Sequence, residues 1–120
     1  LVRSRARWRG SLYLRGGATR LSIRGRRREP APDDLALAVT IVERFDLWMP
    51  SIEAALLEHA HDAGVVVDEL PQPAFAAVIA LDGLSTVEFG FEVPWDDEHT
   101  VGVCLRDDIV VECNGSVLEP

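Results

Sequence analysis

The densest set of titratable side chains is Asp96-Asp97-Glu98-His99, set between Trp95 and the apolar run that opens at Val101. Carboxylates and an imidazole are ligands for a divalent cation, and the same groups can serve as general acid and base. The spacing works against both roles. Consecutive residues on a strand or loop project in different directions, so at most two of the four converge. No second cluster at ligand spacing supplies the rest. His59 and His61, in Glu58-His59-Ala60-His61, stand two apart and so do not share a helix face. The i, i+4 pair with an intervening Glu that marks zinc proteases is absent. No Gly-x-Ser-x-Gly elbow, phosphate-binding glycine loop or Cys-x-x-Cys pair is present. The sequence therefore names no catalytic residue, metal or cofactor. Trp95, His99 and Gly102 read as structural parts of the motif. Asp96, Asp97 and Glu98, with Asp107 and Asp108 from a nearby turn, read as the best candidates for touching a partner.

Charge supplies the second reason to expect a partner. The chain has 120 residues and a net charge of −8, unevenly spread. Residues 1–30 hold ten arginines and one acid, Glu29, while the remaining ninety hold two arginines, Arg44 and Arg106, and nineteen acids. There is no lysine. An acidic body suits a basic partner, through steering and a few desolvated anchors. The arginine-rich start invites a nucleic-acid reading. The acidic remainder opposes that by long-range repulsion, and stacking aromatics are scarce beside the arginines, so nucleic acid is not the expected partner. Pairing of these arginines with the acids, within the chain or between copies of a dimer, is the more economical expectation.

The elements that position these residues follow from periodicity. From Val2 to Leu14 apolar and arginine residues alternate, with Arg3, Arg5, Arg7 and Arg9 on one side and Val2, Ala6 and Trp8 on the other. Gly16-Gly17 turns the chain into a second alternating strand through Leu21 and Ile23, so residues 1–28 form a hairpin. Pro30-Ala31-Pro32-Asp33-Asp34 opens a helical segment over residues 33–63. Two apolar stripes, one through Leu35, Ala38, Val39, Val42 and Phe45, the other through Leu37, Ile41 and Trp48, place its first half at the centre of the core. Pro50 either kinks one helix or ends it, with Ser51 capping a second. Gly64 is a stop signal. Residues 65–74 read as a connection.

Antiparallel strands fill residues 75–114. Val87, Phe89, Phe91 and Val93 point inward, and Glu88 and Glu92 outward. The predicted fold is a single α+β domain, order ββα(α)ββββ, with one or two helices on one face of a mainly antiparallel sheet. Cys104 and Cys113 fall on neighbouring strands of the last hairpin. Without a visible secretory signal they are expected as free thiols in a cytoplasmic protein. No apolar run is long enough to span a bilayer, so no membrane association is expected.

The pattern Trp95-Asp96-x-Glu98-His99-x-x-Gly102-Val103, followed by a short strand, turn and strand, resembles a family of small bacterial proteins whose last hairpin carries a W-D-x-E-H-x-x-G-V signature. The front of the chain is similar more weakly, through Trp8-x-Gly10, a proline-rich helix start and Ile52-x-x-Ala55-Leu56. Thr100 departs from the pattern where Gly is more usual. Proteins of this kind are regarded as immunity proteins encoded beside polymorphic toxins. The resemblance implies a cognate toxin as partner and no catalytic residue. The alternative is a small metal-binding protein or enzyme using His99, His59 and neighbouring carboxylates.

Overall fold

A computed structural model describes residues 1–120. It is an α+β fold of one helix and one seven-stranded sheet. The strands are β1 (Val2–Ser4), β2 (Arg7–Leu14), β3 (Gly17–Ile23), β4 (Phe75–Leu81), β5 (Leu84–Glu92), β6 (Thr100–Arg106) and β7 (Ile109–Val117), and α1 (Pro32–Asp62) joins β3 to β4. Strands lie in sequence order. All neighbours are antiparallel except β3 and β4, which are parallel because a crossover helix connects them.

The seventh strand was hidden in the arginine alternation. Arg5 and Ala6 both have positive φ, 51° and 63°, and form a tight turn that splits residues 2–14 into β1 and β2. Two positive φ values in a two-residue loop match the twist of a hairpin, and no Gly or Asn advertised it here. The turn also corrects the expected faces. Arg3 pairs with Trp8, so the row Arg3–Trp8–Ile23 lies on the side of the sheet away from Arg7 and Arg9.

The helix is continuous through Pro50, so no second helix starts at Ser51. Pro50 lacks the N–H that would bond Asp46, but it sits on the exposed side between buried Trp48, Met49 and Ile52. Packing on both sides of it outweighs the missing bond. Pro32 occupies the first turn, as its missing N–H allows. Gly64, with φ 76°, lets the chain turn away, and Val65 N–H bonds back to the Ala60 carbonyl.

One face of α1 meets one face of the sheet. Ile41, Phe45, Trp48, Ile52 and Leu56 pack on Leu21, Val78, Phe89, Val101 and Val103. Phe45 and Trp48 both lean on Phe89, with ring centroids 5.3 and 6.1 Å apart. Only part of the first expected stripe is core. Ala38 and Phe45 are buried, whereas Leu35, Val39 and Val42 are exposed, because a helix on a single sheet needs only one buried stripe.

The other face of the sheet is not simply open. Phe75, Ala77, Glu88 and Cys104 are buried there. Gly102 and Gly90 are paired neighbours in one row, and Gly90 pairs in turn with Phe75. The Phe75 ring fills the space a side chain at Gly90 would need, and Val117 Cγ1 lies 2.7 Å from where a Gly102 Cβ would be. Beyond β7 the chain folds over this face. Glu119 takes a two-point ion pair from Arg20 at 2.6 Å, and the Pro120 carbonyl accepts from Arg9 at 2.7 Å. A contact from the end of β7 to β2 and β3 requires the sheet to curl. Glu88 is thereby 6 % exposed instead of solvated.

Candidate functional site

The expected partner surface divides into two places. β6 runs between them, so Asp96, Asp97 and Glu98 lie beyond its Thr100 end and Asp107 and Asp108 beyond its Arg106 end. Seven residues of strand put these groups about 20 Å apart.

At the Arg106 end, Asp107 and Asp108 form a turn with φ 50° and 65°. Asp108 is occupied within the chain. It takes two bonds from Arg44, both at 2.7 Å, and a third from the Trp48 indole N–H at 2.7 Å. The Arg44 guanidinium and then the indole hold its carboxyl below the usual range. Asp108 thus fastens the β6–β7 turn to the helix, and only Asp107 is free.

At the Thr100 end, Trp95 is half-buried and donates from Nε1 to His59 Nδ1 at 3.0 Å. With Nδ1 accepting, the neutral His59 ring carries its proton on Nε2. This bond ties the motif to the last turn of α1. Asp96 then shapes the loop. Its Oδ1 accepts from the N–H of Glu98 and His99, at 3.1 and 3.2 Å, and the His99 ring lies 2.9 Å from Oδ2. These bonds, the ring first, hold the Asp96 carboxyl below its usual range. Asp96 and His99 are therefore loop-forming groups.

What remains outward is a groove of about 730 Å³ between residues 69–72 and 92–100. Glu69, Glu92, Asp96, Asp97 and Glu98 line it with His99, and Leu70, Pro71, Val93 and Pro94 supply apolar floor. Glu69, Glu92, Asp97 and Glu98 have no ion-pair partner within the chain. Glu69 and Glu92 were not legible as site residues. Glu69 lies in a proline-rich connection and Glu92 at a strand end, and the antiparallel pairing of β4 with β5 sets the segment before Phe75 beside the loop that follows Glu92.

No three His, Cys, Asp or Glu side chains meet with metal-binding geometry. His59 Nδ1 accepts from Trp95 and His99 Nδ1 faces Asp96, so the two imidazoles proposed for a metal or enzyme site are each engaged through one nitrogen, with different partners. The two thiols are free, Cys104 buried and Cys113 exposed. Cys104 pairs with Glu112 and Cys113 with Val103, so their side chains emerge on opposite faces of the sheet. Cys104 Sγ–H donates to Glu88 Oε2 at 3.6 Å, and burial, then the Glu88 charge, push its pKa up to about 12. A thiol held protonated in this way is a poor nucleophile.

No family model, no curated protein and no solved structure matches this chain. No helix is long and apolar enough to cross a membrane.

Proposed function

We propose that this chain is a non-catalytic protein-binding domain of the immunity type, which neutralises a cognate bacterial toxin in the cytoplasm by covering a basic surface. The observation that carries this reading is the groove between residues 69–72 and 92–100, with four unpaired carboxylates around an apolar floor. Such a groove can receive arginine or lysine side chains, burying their stems on Leu70 and Val93 while the charges meet Glu69, Glu92, Asp97 and Glu98. The Trp95–His59 bond and the Asp96 turn shape the backbone of the loop that carries Asp97 and Glu98, which lowers the cost of ordering it on binding. A toxin that cuts nucleic acid carries a basic cleft of the required sign.

The test is direct. The product of the adjacent gene, if toxic and basic, is purified in catalytically dead form and titrated with the chain. The double variant Asp97→Asn/Glu98→Gln is expected to bind at least about tenfold more weakly, chiefly through slower association at low salt. Asp107→Asn, about 20 Å away along β6, is expected to bind as wild type. Equal affinity of the double variant, or an effect confined to Asp107, would remove the groove from the binding surface.

A further inference from the structure

The twelve arginines fall into two sets. Arg7, Arg9, Arg15, Arg20, Arg24 and Arg44 each hold a partner in the chain. Arg7 spans Ser22 Oγ and the carbonyls of Ser22 and Val78, Arg24 grips buried Asp34, and Arg15 reaches Asp46. The other six donate no side-chain hydrogen bond. Arg106 is alone at the foot of β6, and the remaining five, Arg3, Arg5, Arg26, Arg27 and Arg28, collect at one end of the molecule.

Two structures hold that end together. Arg5 is in the β1–β2 turn and Arg3 stands opposite Trp8. Arg26, Arg27 and Arg28 lie in the β3–α1 loop, which is closed by the bridge between Gly25 and Pro30. Trp8 joins them: its indole N–H donates to the Arg26 carbonyl at 3.0 Å, and its ring packs so closely on Gly25 that a Cβ there would lie 2.6 Å from Cδ1. A pre-formed patch of five free guanidinium groups results, with Glu29 and Asp33 as the only unpaired acids in the same segments.

We propose that this arginine end is a second binding surface, for the phosphate backbone of nucleic acid. The inference does not depend on the role proposed for the acidic groove. Net charge argues against it, and geometry answers that argument. Ser85 of β5 touches Arg24 beside the patch, and Glu92 at the other end of β5 lines the acidic groove. Seven residues of strand separate them by about 24 Å, about three screening lengths at physiological salt. Asp82 and Asp107 lie at this same end of the sheet, in the β4–β5 and β6–β7 turns, so the five free guanidinium groups outnumber the four unpaired acids near them, Glu29, Asp33, Asp82 and Asp107. Local charge thus governs what the patch meets. Guanidinium groups without internal partners offer two-point contacts that match phosphate oxygens. No array of donors and acceptors aimed at base edges accompanies them, so the expected binding follows the backbone without sequence preference.

The experiment uses the full chain and a fluorescein-labelled DNA duplex of one to two helical turns, read by fluorescence anisotropy. Binding is expected at about 50 mM salt and should weaken roughly 100-fold by about 200 mM, the slope for about four released counterions. Arg26→Ala/Arg27→Ala/Arg28→Ala and Arg3→Ala/Arg5→Ala are each expected to weaken it tenfold or more, with unchanged circular dichroism. Asp97→Asn/Glu98→Gln should leave DNA affinity within about twofold, which separates this result from the groove's role. No anisotropy change at low salt overturns the proposal, as does equal binding by both arginine variants. It is also overturned if sedimentation shows a salt-sensitive oligomer that the arginine variants dissolve, since the patch would then serve a second copy of the chain.

Discussion

Single side chains in this protein are separated by which face of the sheet they reach. Cys104 and Cys113 show this most simply. Cys104 is buried with a pKa near 12, and Cys113 is exposed at the rim of α1, with its thiol also raised by burial of part of its surface. A disulfide reagent at mild alkaline pH is expected to titrate one thiol of the native protein, slowly, and the second only after unfolding. Cys113→Ser should abolish the native signal. Rapid reaction of both thiols would mean that the curled face opens. Glu88 is the matching acid. Burial raises its carboxyl above the usual range, with the Cys104 thiol and Arg7 pulling the other way. The folded chain therefore keeps this proton to higher pH than the unfolded chain does. That contribution to stability is fully present below the unfolded pKa, about 4.3, and is lost as pH rises through the folded value. Glu88→Gln keeps an oxygen for Cys104 to bond and removes the charge. It is expected to raise Tm at pH 7 and to make no difference near pH 4. A lower Tm at pH 7 would show that the ionised form is held by its neighbours.

At the scale of elements, the longest one carries a flaw that packing overrides. Pro50 withholds a backbone bond in the middle of α1, yet the helix runs on because Trp48, Met49, Ile52 and Leu56 are all buried against the sheet. Pro50→Ala restores the bond to Asp46 at the cost of more freedom in the unfolded chain. The net expectation is a gain of about 1–2 kcal/mol in denaturant unfolding. No gain would mean that the helix is already bent to suit the proline. The sequence named most elements correctly, because periods of 2 and 3.6 survive wherever one face is buried. It failed where local chemistry was silent. Arg5-Ala6 carries no turn residue, so β1 merged with β2. The exposed positions Leu35, Val39 and Val42 read as core because apolar type cannot say which side of a helix meets the sheet. Glu88 read as outward because alternation assigns two faces and does not reveal that the second is covered by the Arg20–Glu119 pair and Val117.

Across the whole molecule, the charge asymmetry that was plain in the sequence becomes a polarity in space. The acidic groove sits at one end of β5 and the free arginines beside the other. Which charges are free was not legible. Six arginines are consumed by partners such as Asp34, Asp108 and Glu119, and the free arginine cluster emerges only after that pairing. The site motif was legible as a string and not as a surface, since two of its five acids turned out to be internal fasteners and two groove acids came from elsewhere.

The parallel seam between β3 and β4 has a kinetic meaning. Every other strand pair can form from a hairpin or a short loop, but Arg20 meets Phe75 only after the intervening chain, helix included, has closed. Closing so long a loop is slow, and it gives little until the seam and the helix dock together. The chain should thus assemble as two local halves, β1 to α1 and β4 to β7, whose docking limits the folding rate. The connection at residues 65–73 joins them without strand or helix of its own. Fragments cut there are expected to recombine in trans into a folded complex, detectable by recovery of tryptophan fluorescence on mixing. Such recovery would make the seam a natural place to split this fold into a two-part reporter.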